Sequence, residues 1–168
     1  PKLPYEIEVE VKLENESGAA GLVFHSDGKD SHYGFYPTSG SLRLTRFEGP
    51  NVFSWTILQT IPSDAYRMND WNRLRVRLEE NGRMICSVND EVVIDLVDHG
   101  FESGQVGLCK FREPSAQFRF FRVSKRFPKS KITPAFANQV RKLVRPLLHR
   151  DSLEPIEVEE LVKMGTPT

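Results

Sequence analysis

The chain has 168 residues, enough for one ordinary domain with a real core and a small appendage, and too few for two full domains. Lys plus Arg and Asp plus Glu each number 23, so the formal charge is zero and the molecule as a whole offers no field for nucleic acid or an anionic membrane. Its longest apolar stretches, such as "EVVIDLV", fall far below the roughly 18 residues that span a bilayer, which argues against membrane insertion.

No charged-then-apolar signal segment opens the chain. It starts Pro1-Lys2-Leu3-Pro4 rather than on methionine, as a processed chain or a piece of a longer polypeptide would, so the missing signal says nothing about compartment. Cys86 and Cys109 sit in separate apolar runs without a second Cys or a His at metal-ligand spacing. The expectation is two unpaired thiols and no zinc site.

From Tyr5 to Lys125 the sequence is a series of short alternating runs broken by turn residues about every ten positions, the pattern of an all-β sandwich. The runs predict strands at 5–13, 20–26, 32–37, 41–48, 53–60, 72–79, 83–89, 91–98, 105–111 and 117–125. The first, "YEIEVEVKL", places Glu6, Glu8 and Glu10 on one face, successive acids about 7 Å apart, with Ile7, Val9 and Val11 on the other. That spacing falls within the roughly 6.5 to 9.5 Å of inverting glycosidases, but alternation alone predicts a hydrated acidic face over a buried apolar one.

"SDGKD", residues 26–30, follows, a polar loop in which Asp27 and Asp30 have the chemistry of calcium ligands and also of an ordinary turn. His25 precedes it, and Tyr33 and Tyr36 come after it. In "NVFSWTIL", Phe53, Trp55 and Ile57 share a face, the spacing of a sugar-stacking platform and equally of a core stripe. Trp71 opens the "WNRLRVRL" strand as a core or edge-capping residue. Asn81-Gly82 predicts a type I′ hairpin, and Asn89-Asp90 a weaker version of it. Arg119, Arg122, Lys125, Arg126, Lys129 and Lys131 form a basic run, read as solvated faces and linker.

After Lys125 the periodicity stops. "RFPKSKIT", residues 126–133, reads as a linker. Thr133 then caps a helix with Pro134 in its first turn, and Phe136, Val140, Leu143, Val144 and Leu147 recur at helical spacing. Pro146 interrupts it, and "EPIEVEELVKMG" predicts a second short helix ended by Gly165, so residues 134–168 read as a helical C-terminal segment.

Taken in order, "YEIEVEVKL", "AAGLVFHSDGKDSHYGFYPTSGSLRLTRF", "WNRLRVRLEENGRMICSVNDEVVIDLVDHGFESGQVGLCKF" and "QFRFFRVSK" resemble the concanavalin A-like lectin/glucanase superfamily, in particular its laminin-G-like and 3-keto-disaccharide hydrolase type domains. The resemblance covers about residues 5–125, and the sandwich domain is expected over residues 1–125. It implies a two-sheet antiparallel jelly-roll sandwich, with the C-terminal helical segment as an appendage, and a concave face that carries a polysaccharide, a glycan or a protein. Glu6-Ile7-Glu8-Val9-Glu10 is similar to the Glu-x-Asp-x-Glu of the superfamily's glucanases, except that its middle acid is longer and it lies on the first strand rather than on a central one. Laminin-G-like domains hold calcium at a rim such as that of Asp27 and Asp30, and the resemblance sets His25 facing the concave side.

These readings lead to a non-catalytic carbohydrate-binding or adhesion module, extracellular or periplasmic, joined to further domains of the same polypeptide. Trp55, His25, Tyr33 and Tyr36 are its candidate ligand residues, and no cofactor is needed unless calcium binds. A glycoside hydrolase using Glu6, Glu8 or Glu10 and a purely structural spacer are the alternatives. No phosphate-cradling loop, Gly-x-Ser-x-Gly elbow or His-Glu-x-x-His helix occurs.

Overall fold

In the computed structural model of the protein, residues 1–112 and 115–128 are described, together with helical Gln139, Val140 and Lys142. The expected cap at Thr133, Pro134 and the second helix up to Gly165 lie outside the described residues. Pro1–Pro128 is a compact unit of its own.

The alternating runs form ten strands: β1 Tyr5–Leu13, β2 Ala19–Ser26, β3 Ser31–Thr38, β4 Ser41–Glu48, β5 Trp55–Pro62, β6 Trp71–Leu78, β7 Arg83–Val88, β8 Glu91–Val97, β9 Gln105–Phe111 and β10 Ala116–Ser124. They make two five-stranded sheets, β10-β1-β6-β7-β8 and β5-β4-β3-β2-β9, antiparallel at every pairing described. Hairpins join β3 to β4, β4 to β5, β6 to β7 and β7 to β8, whereas β1 lies between β10 and β6.

The period of two sends one set of side chains from each sheet inward. Ile7, Val9, Val11, Leu74, Val76, Met84 and Cys86 come from the first sheet, and Leu22, Phe24, Tyr33, Phe35, Leu42 and Leu44 from the second. Burying each large apolar side chain contributes about 1.5–3 kcal/mol. This core holds the sheets face to face.

The turns differ from their sequence reading in an instructive way. Asn89 and Asp90 both have positive φ (50° and 71°), so this pair makes the tight two-residue turn between Val88 and Glu91. At Asn81-Gly82 only Gly82 has positive φ, 75°, and its N–H bonds the Glu79 carbonyl at 3.2 Å. That is a four-residue turn closed by a left-handed glycine. Ser39-Gly40, both of positive φ, forms a further two-residue hairpin that the sequence reading passed over.

Part of the expected linker is docked rather than extended. Phe127 is buried beneath the guanidinium groups of Arg75 and Arg122, 5.3 and 5.2 Å from its ring centre, and its N–H donates to Glu6 Oε2 at 2.6 Å.

Candidate glycan-binding face

Glu6, Glu8 and Glu10 project from the outer face of the first sheet, but the expected hydrated row is not there. Glu6 and Glu8 are 5 % and 1 % exposed. The reason lies in the neighbours. β6 sets Arg77, Arg75 and Arg73 directly across from the three acids, and β10 sets Arg122 and Arg119 on the other side. Long guanidinium side chains fold over a carboxylate from both flanks and remove it from water.

Glu8 accepts from Arg75 Nε at 2.8 Å and Nη2 at 2.5 Å through one oxygen and from Arg122 through the other. Both oxygens are therefore taken, and no substrate can reach them. Arg119 bonds Glu10 at 2.6 Å while lying 3.9 Å over the Trp71 ring, so the basic run on β10 is the partner of the acidic run on β1. Trp71 thereby packs on the outer face of this sheet.

The histidine and tyrosine candidates separate. Tyr33 points into the core, stacked on Phe24 at 5.4 Å, with its hydroxyl donating to Asp98 and accepting from the Phe101 N–H at 3.1 Å. Burial and the Asp98 bond push this phenol up to about 12. Asp98 is desolvated, yet the bonds from Tyr33, the Gly100 N–H and Arg46 outweigh that and hold its carboxyl below the usual range.

His25 also turns inward, against the expectation of a binding-face residue. Strict alternation after Phe24 would point it outward. A bulge in the β2–β9 pairing between Val23 and Ser26, with His25 at φ 49°, re-aims it into the end of the core among Tyr5, Phe24 and Tyr33. There its Nδ1 donates to the Phe101 carbonyl at 2.9 Å, and burial lowers its pKa. Asp27 is engaged in its own turn, Oδ1 accepting from the Lys29 and Ser31 amides at 2.8 and 3.2 Å, bonds that hold its carboxyl low. No group of three or more His, Cys, Asp or Glu among the described residues could hold a metal ion.

Tyr36 and Trp55 come together instead on the outer face of the second sheet. Phe47 on β4 and Phe111 on β9 stack at 5.1 Å although β3 and β2 lie between their strands. They lean together over residues with little or no side chain, Ala19, Gly21 and Gly34. A Cβ on Gly34 would come within 3.0 Å of the Phe47 ring, so glycine is what lets the rings converge. Tyr36 joins them with its hydroxyl on Thr45 at 2.8 Å, and burial raises its pKa. His32 stacks on Phe47 at 4.6 Å, its pKa lowered by burial against the opposing pull of Asp27 and Asp30.

Trp55 borders this cluster on the edge strand β5. Its ring stands edge-on to Phe47 at 5.1 Å and 70°, and its Nε1 donates to the Gly49 carbonyl at 3.1 Å. The loop before it is built to hold that pose. Asn51 caps the short 3₁₀ turn Val52–Ser54 by accepting from the Phe53 N–H at 3.1 Å, and Ser54 Oγ returns a bond to the Asn51 carbonyl at 2.7 Å. Trp55 is left 38 % exposed, and the tip residue Phe53 96 %. Ile57, read as the continuation of a core stripe, is exposed on the same face as Trp55, paired with outward Thr45, and the bulge that follows it, between Leu44 and Thr45, turns Ile61 inward beside Leu58. Arg43 lies further along this face, its Nε on Thr60 Oγ1 at 3.2 Å.

Sequence reasoning missed Phe47 and Phe111 as site residues. Alternation places each on a face, but their meeting depends on two strands whose positions in the sheet only the topology reveals.

No protein-family model matches the chain, and no curated protein matches it. Solved structures do. The chain is similar to sheep galectin-11 in complex with glycerol, at 13 % identity and a TM-score of 0.56, over 73 % of this chain and 91 % of the galectin. It is similar to CG-16, a homodimeric agglutinin from chicken liver, at 11 % and 0.55, over 72 % and 92 %. Against the receptor binding domain of botulinum neurotoxin D the values are 11 % and 0.52, and 83 % of this chain spans only 38 % of the toxin domain. The shared feature is the fold, a lectin-like β-sandwich.

Proposed function

We propose that the protein is a non-catalytic carbohydrate-binding module whose glycan lies on the outer face of the β5-β4-β3-β2-β9 sheet, with Trp55 as its stacking platform. The observation that carries this reading is the posture of that indole. It is partly exposed yet fixed on two sides, by its bond to Gly49 and by the Phe47 ring. A flat apolar surface held before the ligand arrives loses little entropy on binding, and sugars present apolar ring faces to such surfaces. Arg43, Thr60 and His32 on the same face supply polar groups suited to orienting hydroxyls. The lectin-like fold supports the reading.

As an exported module it recognises a polysaccharide or glycan. The glycosidase alternative draws no support from β1, where arginines occupy both oxygens of Glu8.

A glycan array followed by titration calorimetry tests the proposal. Trp55→Ala is expected to weaken a captured glycan by about 1–3 kcal/mol, the magnitude of stacking on an aromatic platform, while Trp55→Phe retains most of the affinity. Unchanged affinity in Trp55→Ala would remove this face as the site, and an array without hits would favour a structural spacer.

A further inference from the structure

The loop between β4 and β5 carries the most exposed large apolar side chain among the described residues, Phe53, at 96 %, beside Val52 at 61 %. Phe120, the next aromatic in exposure, lies 5.4 Å from the Arg119 guanidinium, whereas the Phe53 ring meets no aromatic or cationic group among the described residues. A phenyl ring held out in water forgoes the free energy of burial, and the glycan-binding reading, which rests on Trp55, makes no use of it.

Two features define the medium this tip suits. The first is that its donors are closed off within the loop. The Phe53 N–H donates to Asn51 Oδ1 at 3.1 Å, the Ser54 N–H and hydroxyl to the Asn51 carbonyl at 3.0 and 2.7 Å, the Trp55 N–H to the Val52 carbonyl, and the indole N–H to the Gly49 carbonyl at 3.1 Å. No N–H or O–H of residues 53–55 is left in need of water, the condition for backbone that enters a layer poor in hydrogen-bond partners.

The second feature is charge. "GPNVFSWTI", residues 49–57, contains no ionisable side chain. At its base Glu48 is held by Arg46 at 3.3 Å and by the Thr56 hydroxyl at 3.4 Å, and Arg46 is shared with Asp98. The pairing of Ser31 with Glu48 puts the turn bearing Asp27, Lys29 and Asp30 at the same end of the sheet. The surroundings are therefore slightly acidic, which disfavours an anionic surface. A protein partner is disfavoured by size, since a stable interface takes about 800 Å² and roughly 20–30 residues from each side, and the tip offers two apolar side chains on a narrow loop.

We infer that this loop is a membrane-contact site: Val52 and Phe53 enter the interfacial layer of a zwitterionic phospholipid bilayer, with Trp55 at the level of the headgroups. The contact is shallow and involves no span. An indole with an apolar body and a satisfied N–H is suited to that level.

Phosphatidylcholine vesicles, which carry no sugar, are the probe, so the outcome is independent of the glycan-binding reading. Of the two tryptophans, Trp55 alone remains in the intact chain carrying Trp71→Phe. Vesicles are expected to shift its emission to the blue, brominated acyl chains to quench it, and partitioning to be weak and reversible, as a small buried apolar area dictates. Phe53→Ser, at a side chain that supports no packing, should weaken partitioning about tenfold or more, the factor for burying one phenylalanine, and Phe53→Leu should retain most of it. Raising the salt to about 1 M, where charges are screened beyond about 3 Å, should leave it unchanged. Absence of quenching, equal partitioning of Phe53→Ser, or binding that requires phosphatidylserine and is lost in salt would overturn the inference. So would a dimer in sedimentation that Phe53→Ser dissociates, since the tip would then be covered by a second copy.

Discussion

Replacing Glu8 by Gln tests whether the arginine cage stabilises the fold. The side chain is 1 % exposed and receives Arg75 through two N–H groups and Arg122 through a third, with Arg73 at 4.0 Å. Removing one partner of a fully buried pair costs about 3–5 kcal/mol. Here the arginines remain 19 to 57 % exposed and recover some hydration, and Gln keeps one acceptor oxygen. Both corrections lower the expected loss to about 2–3 kcal/mol, close to one hydrogen bond to a charged group. Glu10→Gln, whose side chain is 26 % exposed with one bond to Arg119, should lose under about 1 kcal/mol. Urea unfolding of both variants reads the difference as a lower midpoint at unchanged slope. A loss below about 0.5 kcal/mol for Glu8→Gln, the range of ordinary surface substitutions, would refute the cage.

Stability should also fall as the pH drops below about 6.5. His25 and His32 both have folded-state pKa values lowered from 6.5 by burial, so the unfolded chain takes up protons first and stability present above 6.5 is lost below it. Urea midpoints that stay level or rise across that window would contradict the assignment. Asn72→Ala should lower stability by about 3 kcal/mol, since the buried amide ties the Arg67 backbone, the Asp70 carbonyl and Asn89 together and several of these groups would be left unpaired; a midpoint within error of the parent would show the network to be dispensable. Cys86 and Cys109 are unpaired, and burial raises both thiols, Cys109 up to about 12. A thiol reagent at pH 8 should therefore reach buried Cys86 only after unfolding and half-buried Cys109 slowly, and rapid reaction of both in the native chain would contradict the raised thiols.

The sequence by itself determined the class of fold, the strands and the core. Period-two alternation is written residue by residue, so Ile7, Val9 and Val11, or Leu74 and Val76, could be assigned to the interior without knowing their neighbours. The unpaired cysteines and Trp55 as a candidate platform were legible for the same local reason. What an outward-facing residue meets is not local. Glu8 was assigned to the correct face, yet whether that face is wet depends on which strands flank β1, and these come from positions about 70 and 115 residues away in the chain. His25 and Ile61 show a second limit, because one extra residue in their own strand shifts which side chains face inward, and a bulge leaves no mark on the alternation itself. Only the tertiary structure brought Phe47 and Phe111 together, since their contact requires four strands in a particular order with glycine beneath the rings.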